Sequence, residues 1–576
     1  MRRIVNPQQT RLFDCFDPVL SSRARNRLLD SWPGVFRHVI LELMPVDAIA
    51  GHFDPRIGRP TKELYSMAGL ILLAESMDWI KAQAIDAYCF HMGVHYALNL
   101  EPVAHELSKR TFERYVVIFE EVELASRVMH DVTVNLIELL GLRVDRQRLD
   151  STHIFSNMAS LGRTRLMAVA IKRFLAQVKR HDGQGYELLD EALRRRYTPS
   201  VHQLFGATGK DKESRHQLRQ QVAEDMYLLV RRFGENESHC GRTTYKVMER
   251  IFYEQCEVRE EKVVVKSKTG GNVVQNPSDP DATYDGHKGP GYQVQISETC
   301  HPHNEVELIT SALPETAVES DTAAPPKVLE DLKESGLLPK EMFADTLYCS
   351  DENVQLAAEY DVELVGPVPS GPAGDGDVDR LNIDDFNIDE QTQEVICCPA
   401  GHCPESSIVD SKSGKTKTIM PDAACAGCEF VVECPVKKTR RGYCLDHTAK
   451  QCRLVGRRRE QATEVFRERY RIRSGIEGTN SGLKRRTGLG HLRVRGSPAM
   501  FKSILLKITG WNILRASVCA KMREIVYQRA ATAVLAVRHL FIVVIFSDKA
   551  CQRLLKHAYS AIAGHIGLPS TVLVAA

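Results

Sequence analysis

Hydrophobic positions recur at helical spacing as far as Glu123. "GRPTKELYSMAGLILLAESM" runs apolar with that period behind a predicted cap at Pro60-Thr61. "HELSKRTFERYVVIFEEV" sets Phe112, Tyr115, Val116 and Phe119 at i, i+3, i+4 and i+7 behind a Ser108 cap. This short helix opens on Ser-Lys-Arg-Thr, which suits either phosphate contact of the helix-turn-helix kind or an ordinary helical bundle. The pattern changes at "LRVDRQRLDSTHIF", whose β-prone start predicts a strand closing at Asp150. Residues 160 to 265 return to helical, charged character. "GYQVQISETCHPHNEVELIT" predicts two strands about a His-Pro-His-Asn turn. "PKEMFADTLYCSDENVQLAAEY" predicts a strand into Asp345, a turn, and a helix capped near Ser350, and "DVELVGPVP" a further strand. That order predicts a mixed α/β sheet domain with an insertion.

Composition adds little to this and excludes some classes. With 576 residues, 43% hydrophobic and 26% charged, the chain has the make-up of a soluble globular protein of several domains. Its apolar run "LFIVVIF" (Leu540 to Phe546) is far short of the ~20 residues that cross a bilayer, so no membrane association is expected. The first residues lack the apolar stretch of a secretory signal. A cytoplasmic protein is expected, with cysteines reduced or metal-bound rather than paired.

Charge and cysteine are unevenly placed. The net charge is +2, yet Arg453 to Lys502 holds 14 Lys/Arg against 4 Asp/Glu. Of 16 cysteines, eight lie between Cys397 and Cys452. The spacing Cys425-x2-Cys428-x5-Cys434, with Cys398 upstream, suits tetrahedral Zn²⁺. Cys398, Cys425, Cys428 and Cys434 are the favoured ligands. Cys403, Cys444 and Cys452 are credible substitutes, His402 less so. Such a zinc would be structural, knitting a segment too small for its own core. The preceding acidic stretch, "DGDVDRLNIDDFNIDE", fails as a calcium loop because Arg380 and Phe386 stand where Gly and Glu are required. It is read as a solvated loop leading into a hairpin.

Within the basic stretch lies "YRIRSGIEGTNSGLK", with one lone carboxylate at Glu477. On a continuous helix at about 100° per residue, Tyr470, Arg473, Glu477 and Lys484 fall within an arc of roughly 60°. Val465, Ile472, Ile476 and Leu483 form a second, apolar stripe. Glu477 is then either an i,i+4 ion-pair partner or a metal ligand beside a polyanion. Asp150 and Asp345, at predicted strand ends, complete a trio able to hold two divalent ions about 3.5–4 Å apart. Asp145 is a rival to Asp150.

These motifs resemble the DDE transposases of bacterial insertion sequences, in particular the subgroup with a Tyr-x2-Arg-x3-Glu-x6-Lys signature. "LDSTHIFSN" and "ADTLYCSDEN" resemble its two aspartate blocks, "SDPDATYDGHKGPGYQVQ" its strand entry, and "GRPTKELYSMAGLILL" an InsH-like N-terminal domain. "CPAGH" and the CxxC resemble a cysteine insertion that some members carry. The resemblance covers roughly residues 20 to 515, and Thr346 and Leu347 depart from it. It implies an RNase H-like α/β catalytic core with a helical N-terminal domain and a cysteine-rich zinc insertion. The implied organisation is a helical DNA-binding or assembly domain at 1–135 and a first core segment at 136–379 with a helical insertion at about 160–265. A cysteine-rich insertion follows at 380–455, core completion at 456–520, and a helical tail at 521–576. Asp150, Asp345 and Glu477 would ligate two Mg²⁺ or Mn²⁺, while Tyr470, Arg473 and Lys484 would bind DNA phosphates. The implied partners are double-stranded transposon ends and target DNA, bound by a homodimer and placing the protein at the nucleoid. A catalytically silent DNA-binding regulator and a nuclease without strand transfer are the competing readings.

Overall fold

The computed structural model describes residues 1–5, 7, 14–121, 124–158, 160–200, 203, 211–368, 380–389, 392, 394–410, 413–440 and 442–531. Most of the expected helical tail, with Leu540 to Phe546, lies outside the described residues. The chain divides into two compact units, Met1–Leu142 with Leu505–Ala576, and Arg143–Ile504. Among the described residues no helix is long and apolar enough to cross a membrane.

In the first unit, helix Leu64–Ser76 is buried on nearly every side, as its unbroken apolar run requires. Its cap is Glu63 rather than Pro60-Thr61. The Glu63 carboxylate accepts from the Tyr65 and Ser66 amides at 3.0 and 2.7 Å, while the Thr61 hydroxyl is taken by the Arg3 amide at 2.8 Å. Helix Lys109–Glu121 does start at a Ser108 cap and buries Phe112, Tyr115 and Phe119. The chain returns to this unit after Leu505. There Lys507 donates to Asp78 at 2.9 Å and Asn512 to Thr133 at 3.1 Å.

The second unit is built on a mixed sheet. Its strands are β1 (Arg146–Phe155), β4 (Thr283–Asp285), β5 (Gly289–Thr299), β6 (Ile309–Thr316), β7 (Glu341–Phe343) and β8 (Glu363–Val365). A separate hairpin is formed by β2 (Cys256–Arg259) and β3 (Lys262–Val265). β5 runs antiparallel to β1, and β4 and β6 pair with β5 in succession. β7 is parallel to β1, and β8 parallel to β7. β1 is therefore central. It does not close at Asp150. Thr152 and Ile154 continue its buried face, and Ser151 to Phe155 keep pairing with Gln295 to Gly291. Asp150 sits mid-strand.

Helices Arg163–His181, Lys212–Phe233 and Thr243–Gln255 make up a helical segment packed around Phe174, Phe233, Tyr245 and Phe252. Its last residues are the β2–β3 hairpin, not helix. The β-branched Val258, Val263, Val264 and Val265 favour strand, and Glu260 and Glu261 turn with φ of 48° and 62°.

After β8 comes the cysteine-rich segment. It begins with the hairpin β9 (Asn387–Ile388) and β10 (Val395–Cys397). A sheet of β11 (Ser406–Val409), β12 (Lys415–Met420), β13 (Lys437–Thr439) and β14 (Gly442–Thr448) follows in the order β11-β12-β14-β13. Its small core holds Phe386, Ile388, Val395 and Leu445. The hairpin after the acidic loop is thus present, although part of that loop falls outside the described residues. Helices Ala449–Ala462 and Glu464–Tyr470 then lead through a 3₁₀ turn, Arg471–Ser474, into helix Gly475–Thr487.

Candidate carboxylate site and thiol cluster

Three carboxylates meet at one guanidinium. β1 and β7 pair in parallel as far as Arg148↔Phe343, and Asp150 and Asp345 each lie two residues beyond that pair. Asp345 opens the turn after β7, accepting from the Thr346 and Tyr348 amides. Helix Gly475–Thr487 buries Ile476, Thr479, Leu483 and Thr487, and it ends at Gly488 in the left-handed conformation (φ 70°). Glu477 lies in its first turn and Lys484, Arg485 and Arg486 in its last, the arrangement the helix dipole favours. Arg473 then reaches all three acids: its Nη2 is 3.1 Å from Asp150 and 4.0 Å from Asp345, and its Nη1 is 3.3 Å from Glu477. Asp145, the rival, lies before β1 and faces His301 at 3.9 Å instead.

Burial grades across the site. Side-chain exposure rises from 19% at Asp150 through 53% at Asp345 to 69% at Glu477, with Arg473 at 15%. Burial raises the Asp150 carboxyl above the ordinary range, opposed by Arg473 and reinforced by Asp321 and Asp345. Asn480 was not anticipated from the sequence. It stands one helical turn beyond Glu477 and donates to the second oxygen of Asp150 at 3.0 Å, so Asp150 is held from both sides. Its i+3 spacing from Glu477 was the visible signal.

The remaining signature residues part company. Tyr470 donates to the Ala344 carbonyl at 3.1 Å and stacks on Phe466, and burial pushes its phenol up to about 12. It anchors the segment to the residue before Asp345. Lys484 is half-buried. Its ammonium is pushed down by burial and by Lys288, with Asp150 pulling the other way. The apolar stripe breaks at Val465, which is 78% exposed. The 3₁₀ turn re-phases the helix there, so a continuous-helix wheel does not apply across it.

Cys398, Cys425, Cys428 and Cys434 line one cavity of about 20 Å³, enough for a single small occupant, whose walls include Phe430, Val431 and Val436. Cys425 and Cys428 are bridged by a turn, Cys428 N donating to Cys425 O at 3.3 Å. Burial and the neighbouring thiols both push the Cys425 and Cys434 thiols up. His402 also lines the cavity, whereas Cys403, Cys444 and Cys452 do not. Cys444 faces Asp446 and Cys452 faces His447. Among the described residues no three His, Cys, Asp or Glu side chains are drawn together into a metal-holding group. At the carboxylates, Arg473 stands between the acids. The thiols ring a cavity rather than a point.

Comparison with known proteins bears on one end of this arrangement. Residues 397–516 match the family model for the transposase DDE domain. The matched stretch is well under half of the chain. It holds Tyr470, Arg473, Glu477, Lys484 and the four thiols, whereas Asp150 and Asp345 precede it. A comparison with curated proteins found no match. Among solved structures, the cryo-EM structure of a piggyBac transposase synaptic complex with hairpin DNA is 12% identical. That comparison covers 72% of this chain and 78% of the other, with a TM-score of 0.19, too low to bear on the fold.

Proposed function

We propose that this chain is a DDE transposase that cuts and joins double-stranded DNA on an RNase H-like core. One observation carries the reading. A central strand, the end of its parallel neighbour and a helix encoded far downstream each deliver one carboxylate to the same guanidinium. The strand order, with β1 flanked by antiparallel β5 and parallel β7, supports the RNase H-like assignment, and the family match supports the helix as its last element.

The donor set fits a hard divalent cation, since carboxylate oxygens are what Mg²⁺ and Mn²⁺ take. Asp150, Asp345 and Glu477 would hold it. When bound, two such ions supply an activated water or 3′-hydroxyl and stabilise the leaving oxygen. The chain's own residues set this up. Arg473 and Asn480 orient Asp150, Arg473 balances acids that otherwise repel one another, and Tyr470 fixes the helix entry against Ala344. Lys484, Arg485 and Arg486 offer cations to DNA phosphates. Partners would be transposon ends and target DNA, engaged by a homodimer. Cys398, Cys425, Cys428 and Cys434 fit a structural Zn²⁺, four soft donors around one small cavity.

The contact of Arg473 with all three acids also favours a second reading, a silent relative in which the guanidinium permanently replaces the metal. One assay separates the two. Duplex DNA carrying the sequences that flank the coding region is incubated with the protein and Mg²⁺ or Mn²⁺. Wild type should cleave, and Glu477→Gln should bind DNA but cleave several orders of magnitude more slowly. Asp150→Asn and Asp345→Asn should behave alike, with little further loss on combination, because residues acting as one unit are non-additive. Near-wild-type cutting by Glu477→Gln would refute the assignment, and a wild type that binds without cutting under either ion would favour the silent relative.

A further inference from the structure

Behind the three carboxylates lies a buried ion pair whose place in the fold is unusual. Arg148 and Glu298 face each other directly across β1 and β5. Arg148 donates from Nε and Nη2 to one Glu298 oxygen at 2.8 and 2.6 Å. The two side chains are only 10% and 1% exposed. Burying such a pair gains little over an apolar pair of the same volume, so packing alone does not explain it. Its remaining valences explain it better. Arg148 Nη1 donates to the Ile472 carbonyl at 3.0 Å, and the second Glu298 oxygen accepts from the Thr479 hydroxyl at 2.6 Å. Ile472 and Thr479 bracket Glu477 in sequence.

Gly475 completes the arrangement. A Cβ there would lie 2.0 Å from Arg148 Nη1 and 2.7 Å from its Cζ, so only glycine lets the guanidinium pass beneath the start of the helix. Arg148 also precedes Asp150 by two residues and so shares its face of β1. One strand face therefore carries a carboxylate of the site and, one step earlier, the group that grips the helix carrying another.

We propose that Arg148, Glu298, Thr479 and Gly475 form a positioning clamp that fixes helix Gly475–Thr487 against β1 and so sets where Glu477 stands relative to Asp150. The inference rests on the transposase reading for what the clamp serves, but the clamp itself can be tested without catalysis. Truncating Arg148 or Glu298 would strand a buried charge and endanger the fold, so the informative changes are gentler. Thr479→Val keeps shape and removes one tie, Gly475→Ala pushes the guanidinium aside, and Arg148→Lys keeps charge but loses the planar fork.

In the full-length protein, hydrogen exchange should quicken at least tenfold across Gly475–Thr487 in Thr479→Val and Gly475→Ala. Exchange in helix Lys212–Phe233 should stay unchanged. The two changes combined should add little, since they loosen one clamp. With wild-type DNA affinity retained, the Mn²⁺ concentration for half-maximal cleavage should rise roughly tenfold, and Arg148→Lys should fall between. Wild-type exchange and an unmoved Mn²⁺ requirement in both variants would overturn the clamp. Altered exchange with Glu477→Gln still cleaving would instead overturn the site reading and with it the clamp's role in positioning Glu477.

Discussion

Arg473 is the residue at which sequence and structure differ most usefully. Its spacing four residues before Glu477 predicts either an ion pair or a phosphate clamp, and neither includes the contact to Asp150, 323 positions away in sequence. In the fold it is the counter-charge to three carboxylates, and its buried Nε has no hydrogen-bond partner among the described residues. Removing it leaves mutually repelling acids, the more costly because Asp150 is largely buried. Arg473→Gln should therefore lower stability in chelator by about 1–3 kcal/mol. Added Mn²⁺ should restore it, since a ligand that binds only the folded state stabilises by about 2.7 kcal/mol at a hundred times its Kd. Thermal melts with and without Mn²⁺ measure both terms. A variant that melts like wild type in chelator and ignores Mn²⁺ would show that Arg473 is not the counter-charge, leaving the phosphate clamp as its role.

At the scale of elements, what was legible was what is local. Helical period marked Leu64–Ser76 and Lys109–Glu121, and the turn after Asp345 with its Ser350-capped helix could be read from a single segment. Two of the differences come from partners that lie elsewhere in the chain, whereas the β2–β3 hairpin and the Glu63 cap have local causes. β1 extends past Asp150 because β5 is there to pair with it, and the Glu477 helix is re-phased by a 3₁₀ turn whose Ile472 carbonyl answers Arg148. Glu298 carries no local signal of its long-range bonds, and the i+3 spacing of Asn480 from Glu477 marks its helix face but not its bond to Asp150. The cysteine segment shows both sides, its spacing pointing to four thiols that the fold does gather around one cavity. If zinc fills it, purified protein should carry one Zn²⁺ per chain, and Cys425→Ser/Cys428→Ser should lose it. Proteolysis should then quicken within 397–434 while the β1–β5 core keeps its protection, because the thiols are far from that ladder in sequence and share no strand with it. Metal analysis and limited proteolysis check the two halves, and a zinc-free wild type that resists proteolysis would remove the case for a metal.

Across the whole molecule, the charge count overstates the surface that the basic stretch could offer to the proposed DNA partner. Of its 14 cations, several are committed within the fold. Arg453 pairs with Asp351, Arg458 with Asp384, and Arg469 with Glu341 and Glu363, while Arg457 and Arg459 donate to backbone carbonyls and Arg473 to the acids. Arg469 ties its helix to β7 and β8, Arg453 and Arg457 reach the residues that follow those strands, and Arg458 and Arg459 hold the start of the cysteine segment. Arg471, Arg485, Arg486, Arg493 and Arg495 are exposed, with Lys484 half-buried. Each phosphate neutralised contributes a slope of about −0.9 in log affinity against log salt. Ten phosphates would cost on the order of 10⁵ in affinity between 50 and 200 mM salt, whereas five or six would cost roughly 500- to 1,800-fold. The smaller figure is the contribution expected from this stretch. Arg485→Ala/Arg486→Ala should flatten the slope by about 1.8, while Arg458→Ala, an ion-pair partner inside the fold, should leave the slope unchanged even if it lowers the melting temperature. Titrations of duplex DNA at several salt concentrations separate these outcomes. An unchanged slope in the double variant would move the DNA surface away from the end of the Glu477 helix.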